Sequence, residues 1–126
     1  MANQKQIGNE YEGKVALLLQ KKGYWCHIFA YNHNGQPCDI IAINGQKTIL
    51  IDVKHCVRNR FYLTRVEPNQ KNCFKYARKC GVKYTGFAIW FEKDQCFKWL
   101  SYDEKSINVN SFHTDELQRL EDFLCF

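Results

Sequence analysis

The chain has very little proline: only Pro37 and Pro68 among 126 residues. No Pro-rich or Gly/Ser-rich linker divides it, and no internal repeat or low-complexity tract is visible. No apolar run approaches the roughly 18 residues of a transmembrane helix, so a membrane role is not expected. Met1 to Gln6 is polar and lacks the apolar stretch of a secretory signal. None of the seven cysteines (Cys26, Cys38, Cys56, Cys73, Cys80, Cys96, Cys125) forms a CxxC pair. A zinc knuckle or thioredoxin-type site therefore has no support. Cys26-His27 and His55-Cys56 are adjacent pairs, a spacing foreign to ordinary zinc sites. The stronger reading is reduced thiols packed in a cytoplasmic protein.

What is present fits one globular domain spanning 1–126: 45% hydrophobic and 15% aromatic residues are enough to bury a core. The net charge of +5 is unevenly spread. Residues 54–83 hold nine Lys/Arg and one acid, Glu67, for a net +8, while the remainder carries −3. A single basic block on a mildly acidic chain reads as a polyanion-facing surface or as a solvated basic face.

Periodicity gives the elements. Ile7, Tyr11, Val15, Leu18 and Leu19 form one stripe of a helix over 4–22, stopped by Gly23. Tyr24–Tyr31 reads as a strand, followed by a polar loop from Asn32 to Pro37. Cys38–Ile43 and Thr48–Lys54 read as strands joined at Asn44-Gly45, a hairpin signal. Residues 55–66 read as an irregular basic connection. Pro68 suits the first turn of a helix running to Cys80, with Gly81 as its stop. Tyr84–Glu92 and Cys96–Tyr102 form a second hairpin around Lys93-Asp94-Gln95. A last helix is predicted from about Asp115 to Leu124, with Thr114 as its N-cap. The order αβββαββα predicts an α+β domain, a mixed central sheet flanked by helices.

The chemistry sits on the first hairpin. Alternate strand residues share a face, so Asp52 and Lys54 lie with Leu50 while Ile49, Ile51 and Val53 point away. A turn at Asn44-Gly45 sets Asp39 diagonal to Asp52, and a turn at Gly45-Gln46 sets it directly opposite. Either turn brings Asp39, Asp52 and Lys54 to one face, whereas an unbulged three-residue turn breaks the arrangement. Facing carboxylates repel, and apolar strands make buried charge costly. Lys54 or a divalent cation relieves both. An exposed Asp–Lys ion pair is the alternative. The first helix offers a third acid. Glu10 has Lys14 one turn on as an ordinary partner. Glu12 lies at the edge of the apolar stripe with no base at i+4, so it is the acid expected to face inward, unless simply solvated.

These residues resemble a known family. Gly8-Asn9-Glu10-Tyr11-Glu12, then Pro37-Cys38-Asp39, then Ile51-Asp52-Val53-Lys54 have the order and spacing of the PD-(D/E)xK nuclease core, with its restriction-endonuclease-like fold. The resemblance is greatest to archaeal-type Holliday-junction resolvases, which open with Gly-x-x-x-Glu, a helix and a Lys-Gly-aromatic end, here Lys22-Gly23-Tyr24. It covers about residues 7–55. Phe61-Tyr62-Leu63 followed by Gln70 resembles bacterial RecU-type resolvases and their phage relatives, without the long stalk insertion. Asp52 stands where those resolvases usually carry Glu, one methylene longer.

The resemblance implies a Mg²⁺- or Mn²⁺-dependent endonuclease. In it Asp39, Asp52 and the Val53 carbonyl bind the metal, and Glu12 completes the site directly or through water. Lys54 orients or deprotonates the attacking water, and the products are 5′-phosphate and 3′-hydroxyl ends. Gln70 is either a further active-site residue or the N3 residue of a capping box in Glu67-Pro68-Asn69-Gln70. Arg58, Arg60, Arg65, Lys71, Lys75, Arg78 and Lys79 are the predicted DNA contacts, with Lys71, Lys75, Arg78 and Lys79 on one stripe of the second helix. The expected partner is DNA, most specifically a four-way junction cut by paired symmetric nicks during recombination or repair. Two symmetric cuts imply a homodimer, with Phe87–Phe91 or Phe123–Phe126 as its surface unless these are core. The small size fits a phage or mobile-element protein acting in a host cytoplasm. The alternatives are a related nuclease with another DNA substrate (nicking, repair or restriction-like), or a non-catalytic DNA-binding module.

Overall fold

The structure is a computed structural model that describes residues 4–29 and 38–125. The end of the first predicted strand (Ala30, Tyr31), the loop to Pro37, Phe126 and the side chain of Ile7 lie outside the described residues. Helix α1 runs Gln4–Lys21, followed by β1 Trp25–Ile28, β2 Ile40–Ile43 and β3 Thr48–Cys56. A short β4, Arg60–Tyr62, leads through a 3-10 turn at Leu63–Arg65 to α2, Pro68–Lys79. Then come β5 Tyr84–Phe91, β6 Cys96–Ser101, β7 Ser111–His113, a 3-10 turn at Thr114–Glu116, β8 Gln118–Arg119 and α3 Leu120–Phe123. Gly23 and Gly81 take φ of +86° and +104°, the left-handed conformation that ends α1 and α2 where the sequence places their stops.

Six strands form one mixed sheet in the order β1-β2-β3-β5-β6-β8. The β3–β5 pair is parallel, with α2 in the crossover, and the other pairs are antiparallel. The sheet is covered on both faces because β3 and its neighbours alternate two apolar sets. Ile49 and Ile51 pack with Ile40, Ala42, Ala88 and Trp99 against Val15 and Leu19 of α1. Leu50, Phe87 and Ile89 pack on the other face with Phe74 of α2 and Phe61. Phe74 is 1% exposed, a burial that stabilises by about 2–3 kcal/mol. This is the predicted α+β class, a mixed sheet between helices.

Three expectations are corrected. The connection 55–66 is not irregular: β3 continues to Cys56, and β4 pairs with β7 in a small second sheet. Its partner lies some fifty residues away, beyond the reach of local pattern. The last helix is also shorter than predicted. Gln118 and Arg119 pair with Trp99 and Lys98 as β8, leaving only Leu120–Phe123 helical. Leu120 and Leu124 are both fully buried, which explains their helical spacing. Thr114 is not the cap. The ring of His113 accepts the Asp115 amide, and the Thr114 hydroxyl donates to Asp94 Oδ2 at 2.6 Å. Phe87, Ala88, Ile89, Phe91 and Leu124 are core residues rather than a free dimer surface.

Candidate active site

The site forms where β3 runs on past the end of its pairing with β2 while still paired with β5. Ile43 pairs with Thr48, and the Asn44 amide donates to the Lys47 carbonyl at 2.9 Å. This is the register of a turn at Gly45-Gln46. The Asn44 carboxamide oxygen holds that turn by accepting the amides of Gln46 and Lys47, each at 2.6 Å. The register points Asp39 toward Asp52, but the ladder stops at Ile40 and the Asp39 amide donates to the Ile51 carbonyl. Asp39 Oδ2 accepts the Val53 amide at 2.7 Å, which fixes the Asp39 carboxylate against the strand that carries Asp52.

Asp52 is 3% exposed, on the α2 side of the sheet. Its Oδ2 accepts Gln70 Nε2 at 2.9 Å and faces Lys54 Nζ at 3.2 Å. Burial pushes its carboxyl well above the usual range, the Asp39 charge adds to this, and Lys54 opposes both. Glu12 comes from α1 and is half-buried. Burial, the charge of Asp39 and a hydrogen bond to Asp39 raise it to about 8. Three acids thus adjoin in a chain, Glu12 to Asp39 to Asp52, drawn from α1, the residue before β2, and β3. Glu10, two residues from Glu12, is exposed and pairs with Lys14 at 3.5 Å, as its sequence context predicts.

The raised carboxyls of Glu12 and Asp52 hold their protons more tightly than free acids do, because burial and the neighbouring negative charge disfavour the ionised form. Among the described residues no three His, Cys, Asp or Glu side chains stand in a ready metal-binding arrangement. The donor set is nevertheless the right kind for a hard divalent ion: carboxylate oxygens only, more negative charge than Lys54 offsets, and backbone close by at Val53. The residues present fit Mg²⁺ or Mn²⁺.

Gln70 holds two positions at once. Its Oε1 accepts the Glu67 amide at 3.0 Å, closing the capping box at the start of α2, while its Nε2 reaches Asp52. The two readings of this residue are compatible because a carboxamide has a separate acceptor and donor.

The basic residues divide in two. Arg58, Lys71, Lys75 and Lys79 are exposed. Three arginines, of which Arg65 is exposed as well, are bound to the protein itself. Arg60 Nη1 donates to Ser111 Oγ at 3.0 Å. Arg65 Nη1 donates to the His55 carbonyl at 2.9 Å, and its guanidinium lies over the Phe61 ring. Arg78 Nε donates to Thr85 Oγ1 at 2.7 Å and to the Tyr102 carbonyl at 3.2 Å, joining α2 to β5 and β6. Arg78 therefore turns away from the exposed lysines.

Beside the site lie contacts that sequence reasoning missed. Tyr11 stacks on His55, with centroids 4.9 Å apart, and His55 Nε2 lies 2.7 Å from Glu92 Oε2. No spacing rule links either pair, since each joins elements distant in the chain.

No family model matches the chain. A UPF0102 protein of Fusobacterium nucleatum is 28% identical over 120 residues, which cover 91% of this chain and 98% of the relative. Among solved structures, the Holliday junction resolvase Hjc of the archaeal hyperthermophile Archaeoglobus fulgidus superposes with a TM-score of 0.69. It is 18% identical, with 95% of this chain and 98% of that one covered. The bacterial homing endonuclease I-Ssp6803I superposes with a TM-score of 0.58 at 13% identity, covering 89% of this chain and 78% of that one. The resemblance to the PD-(D/E)xK nucleases is borne out at the level of fold: the chain shares the architecture of a Holliday junction resolvase along nearly its whole length.

Proposed function

We propose that this chain is a metal-dependent endodeoxyribonuclease whose substrate is branched DNA, most specifically the four-way junction. One observation carries the reading: Asp52 is buried between Gln70 and Lys54, and Asp39 and Glu12 adjoin it from other elements. A buried cluster of acids is costly for stability, and its presence points to a job such as holding a cation. The fold shared with a Holliday junction resolvase supports the nuclease class.

In this reading Asp39 and Asp52 would hold Mg²⁺ or Mn²⁺ with the Val53 carbonyl, and Glu12 would join directly or through a water. The cation supplies polarisation of the scissile phosphate and a more acidic bound water. Lys54, held toward Asp52, orients the attacking water and faces the charge that grows on the phosphate oxygens. Gln70 keeps the Asp52 carboxylate in its rotamer. Cleavage leaves 5′-phosphate and 3′-hydroxyl ends. Arg58, Lys71, Lys75 and Lys79 are free to meet phosphates, whereas Arg60, Arg65 and Arg78 serve mainly to place the elements that carry them. Two symmetric nicks across a junction call for a homodimer, and the work lies inside the cell, with DNA.

The likeness to a homing endonuclease favours a second reading on the same site, cleavage of another DNA form. Purified protein with Mg²⁺ and labelled four-way junction, flap and linear duplex separates the two. A resolvase binds the junction at least about tenfold more tightly than duplex, roughly 1.4 kcal/mol, and nicks opposing strands symmetrically. Equal cutting of junction and duplex, or a monomer on DNA, promotes the second reading.

A further inference from the structure

Helix α2 has two unlike faces. Toward the sheet, Gln70 reaches Asp52 and Phe74 is buried in the core. On the outer face Lys71, Asn72, Lys75, Tyr76 and Lys79 are exposed. Tyr76 has Lys79 at i+3 and Asn72 at i−4 as its neighbours on that face, with Lys75 adjoining. No acid occurs between Pro68 and Lys83, so the positive charge of this face is unopposed along the segment. Tyr76 is 71% exposed, and Tyr62, on the strand that leads into α2, is 52% exposed. Among the described residues neither tyrosine side chain has a hydrogen bond or a ring partner. A single exposed ring is ordinary on a protein surface. Here the exposed rings stand among lysines, in the segment 54–83 that carries a net +8.

We infer that the outer face of α2 binds single-stranded DNA, with Lys71, Lys75 and Lys79 on its phosphates, Tyr76 stacked on an unpaired base and Tyr62 as a second ring on the approach. The inference takes DNA as the partner from the proposed nuclease reading and deepens it: the branched substrate carries unpaired nucleotides beside the cut. The physical reason lies in what each form of DNA offers. A paired duplex shows this face its phosphates and groove edges, and lysines alone suffice for phosphates. Its base faces are covered by their neighbours in the stack. An exposed aromatic ring gains a partner where a base is unstacked, and cations interleaved with rings are the composition that holds single strands. Geometry sets the scale. Tyr76 lies six residues beyond Gln70, about 9 Å along the helix axis, and Gln70 touches Asp52. At roughly 3.4 Å per nucleotide of one strand, that is about two to three nucleotides. Every base has a face to stack, so this surface reads the form of the DNA and not its sequence.

The test measures binding by the full-length protein in EDTA, so that no cutting intervenes. The probes are a labelled blunt duplex and the same duplex extended by a single-stranded oligothymidine tail. The tailed DNA should bind at least about tenfold more tightly. Tyr76→Ala should lose about 5- to 150-fold on the tailed DNA and nothing on the blunt duplex. Its melting temperature should match the wild type, since the ring is exposed. Tyr76→Phe keeps the ring and should bind both probes like the wild type. Equal affinity for the two probes overturns the inference. So does a Tyr76→Ala variant that binds the tail as tightly as the wild type, which would mean that the lysines alone hold the strand. Cutting of branched DNA with Mg²⁺ is followed on the same preparations. Cutting without any preference for the tail leaves the nuclease reading standing and removes this surface. A tail preference that Tyr76→Ala abolishes, in a protein that cuts no DNA, supports the surface and removes the nuclease reading.

Discussion

Gln70 Nε2 donates to Asp52 Oδ2 at 2.9 Å while Oε1 of the same side chain accepts the Glu67 amide at 3.0 Å. One carboxamide thus ties the start of α2 to the acid at the centre of the site. Glu67 is the N-cap, Pro68 pre-sets the first turn, and Gln70 at N3 is aimed by that turn toward β3.

Gln70→Ala removes both bonds. The lost cap and the orphaned face of a buried carboxyl should cost about 1–3 kcal/mol in stability. Cleavage should fall roughly 10- to 100-fold, as when a residue orienting a metal ligand is removed. Denaturant melts and single-turnover cleavage of the same preparation check this. Loss of stability with an unchanged cleavage rate would reduce Gln70 to a cap.

Glu12 and Glu10 should separate cleanly. Glu10 is exposed and paired with Lys14 in an i,i+4 bridge, worth about 0.3–0.5 kcal/mol. Glu12→Gln should depress cleavage strongly, and Glu10→Gln should leave it near wild type. Comparable losses in the two variants would place the third acid elsewhere.

The raised pKa of Glu12 sets a pH dependence of the metal-free protein. Its value is about 8 in the folded chain against an ordinary 4.5. The folded state therefore binds this proton more tightly than the unfolded state. The stabilising contribution is complete below 4.5 and is lost as pH rises through about 8. Asp52, also raised, acts in the same direction. A cation that takes the place of the protons binds better as they leave. The thermal shift given by Mg²⁺ should therefore be larger near pH 8.5 than near pH 6. In Glu12→Gln the metal-free melting temperature should fall less between these pH values. A Mg²⁺ shift that shrinks with rising pH would contradict the site as built.

The exposed lysines and the bound arginine should behave differently. Replacing Lys71, Lys75 and Lys79 with Gln should lower the slope of log K against log[salt] by about 0.9 for each phosphate no longer neutralised, with little change in stability. Arg78→Gln should instead lower the melting temperature, because it removes the bonds to Thr85 and the Tyr102 carbonyl. Salt titrations of DNA binding beside melts of the free proteins show both effects. An unchanged slope in the triple variant would move the DNA surface off α2.

Much of the site was legible in the sequence because it rests on short-range geometry. The Asn44-Gly45 hairpin signal, the alternation along 48–54 and the lack of a partner for Glu12 depend on residues within a few positions of one another. They account for Asp39 adjoining Asp52, for Lys54 facing Asp52 and for the inward turn of Glu12. The observed register follows the Gly45-Gln46 turn, one of the two left open. What pattern could not show are pairings between distant segments. Arg60–Tyr62 becomes a strand only because Ser111–His113 lies beside it. Gln118-Arg119 leaves the helical pattern of Leu120 and Leu124 because the edge of β6 offers hydrogen bonds. Arg78 shares a helical stripe with the lysines on a wheel, yet Thr85 and Tyr102 draw it toward the sheet. Charge alone does not distinguish an arginine that meets phosphate from one that holds two elements together.

The central claim, that these acids form a metal-dependent cutting site, is tested most directly at Asp52. The measurement is single-turnover nicking of a labelled four-way junction by wild type and Asp52→Asn, each with Mg²⁺ and with EDTA, with junction binding followed on the same samples. The account predicts cutting by wild type with Mg²⁺ and none with EDTA. It predicts no cutting by Asp52→Asn in either condition, although that variant stays folded and binds the junction at least as tightly when metal is absent. Wild-type rates of nicking by Asp52→Asn, or cutting by the wild type that persists in EDTA, would contradict it.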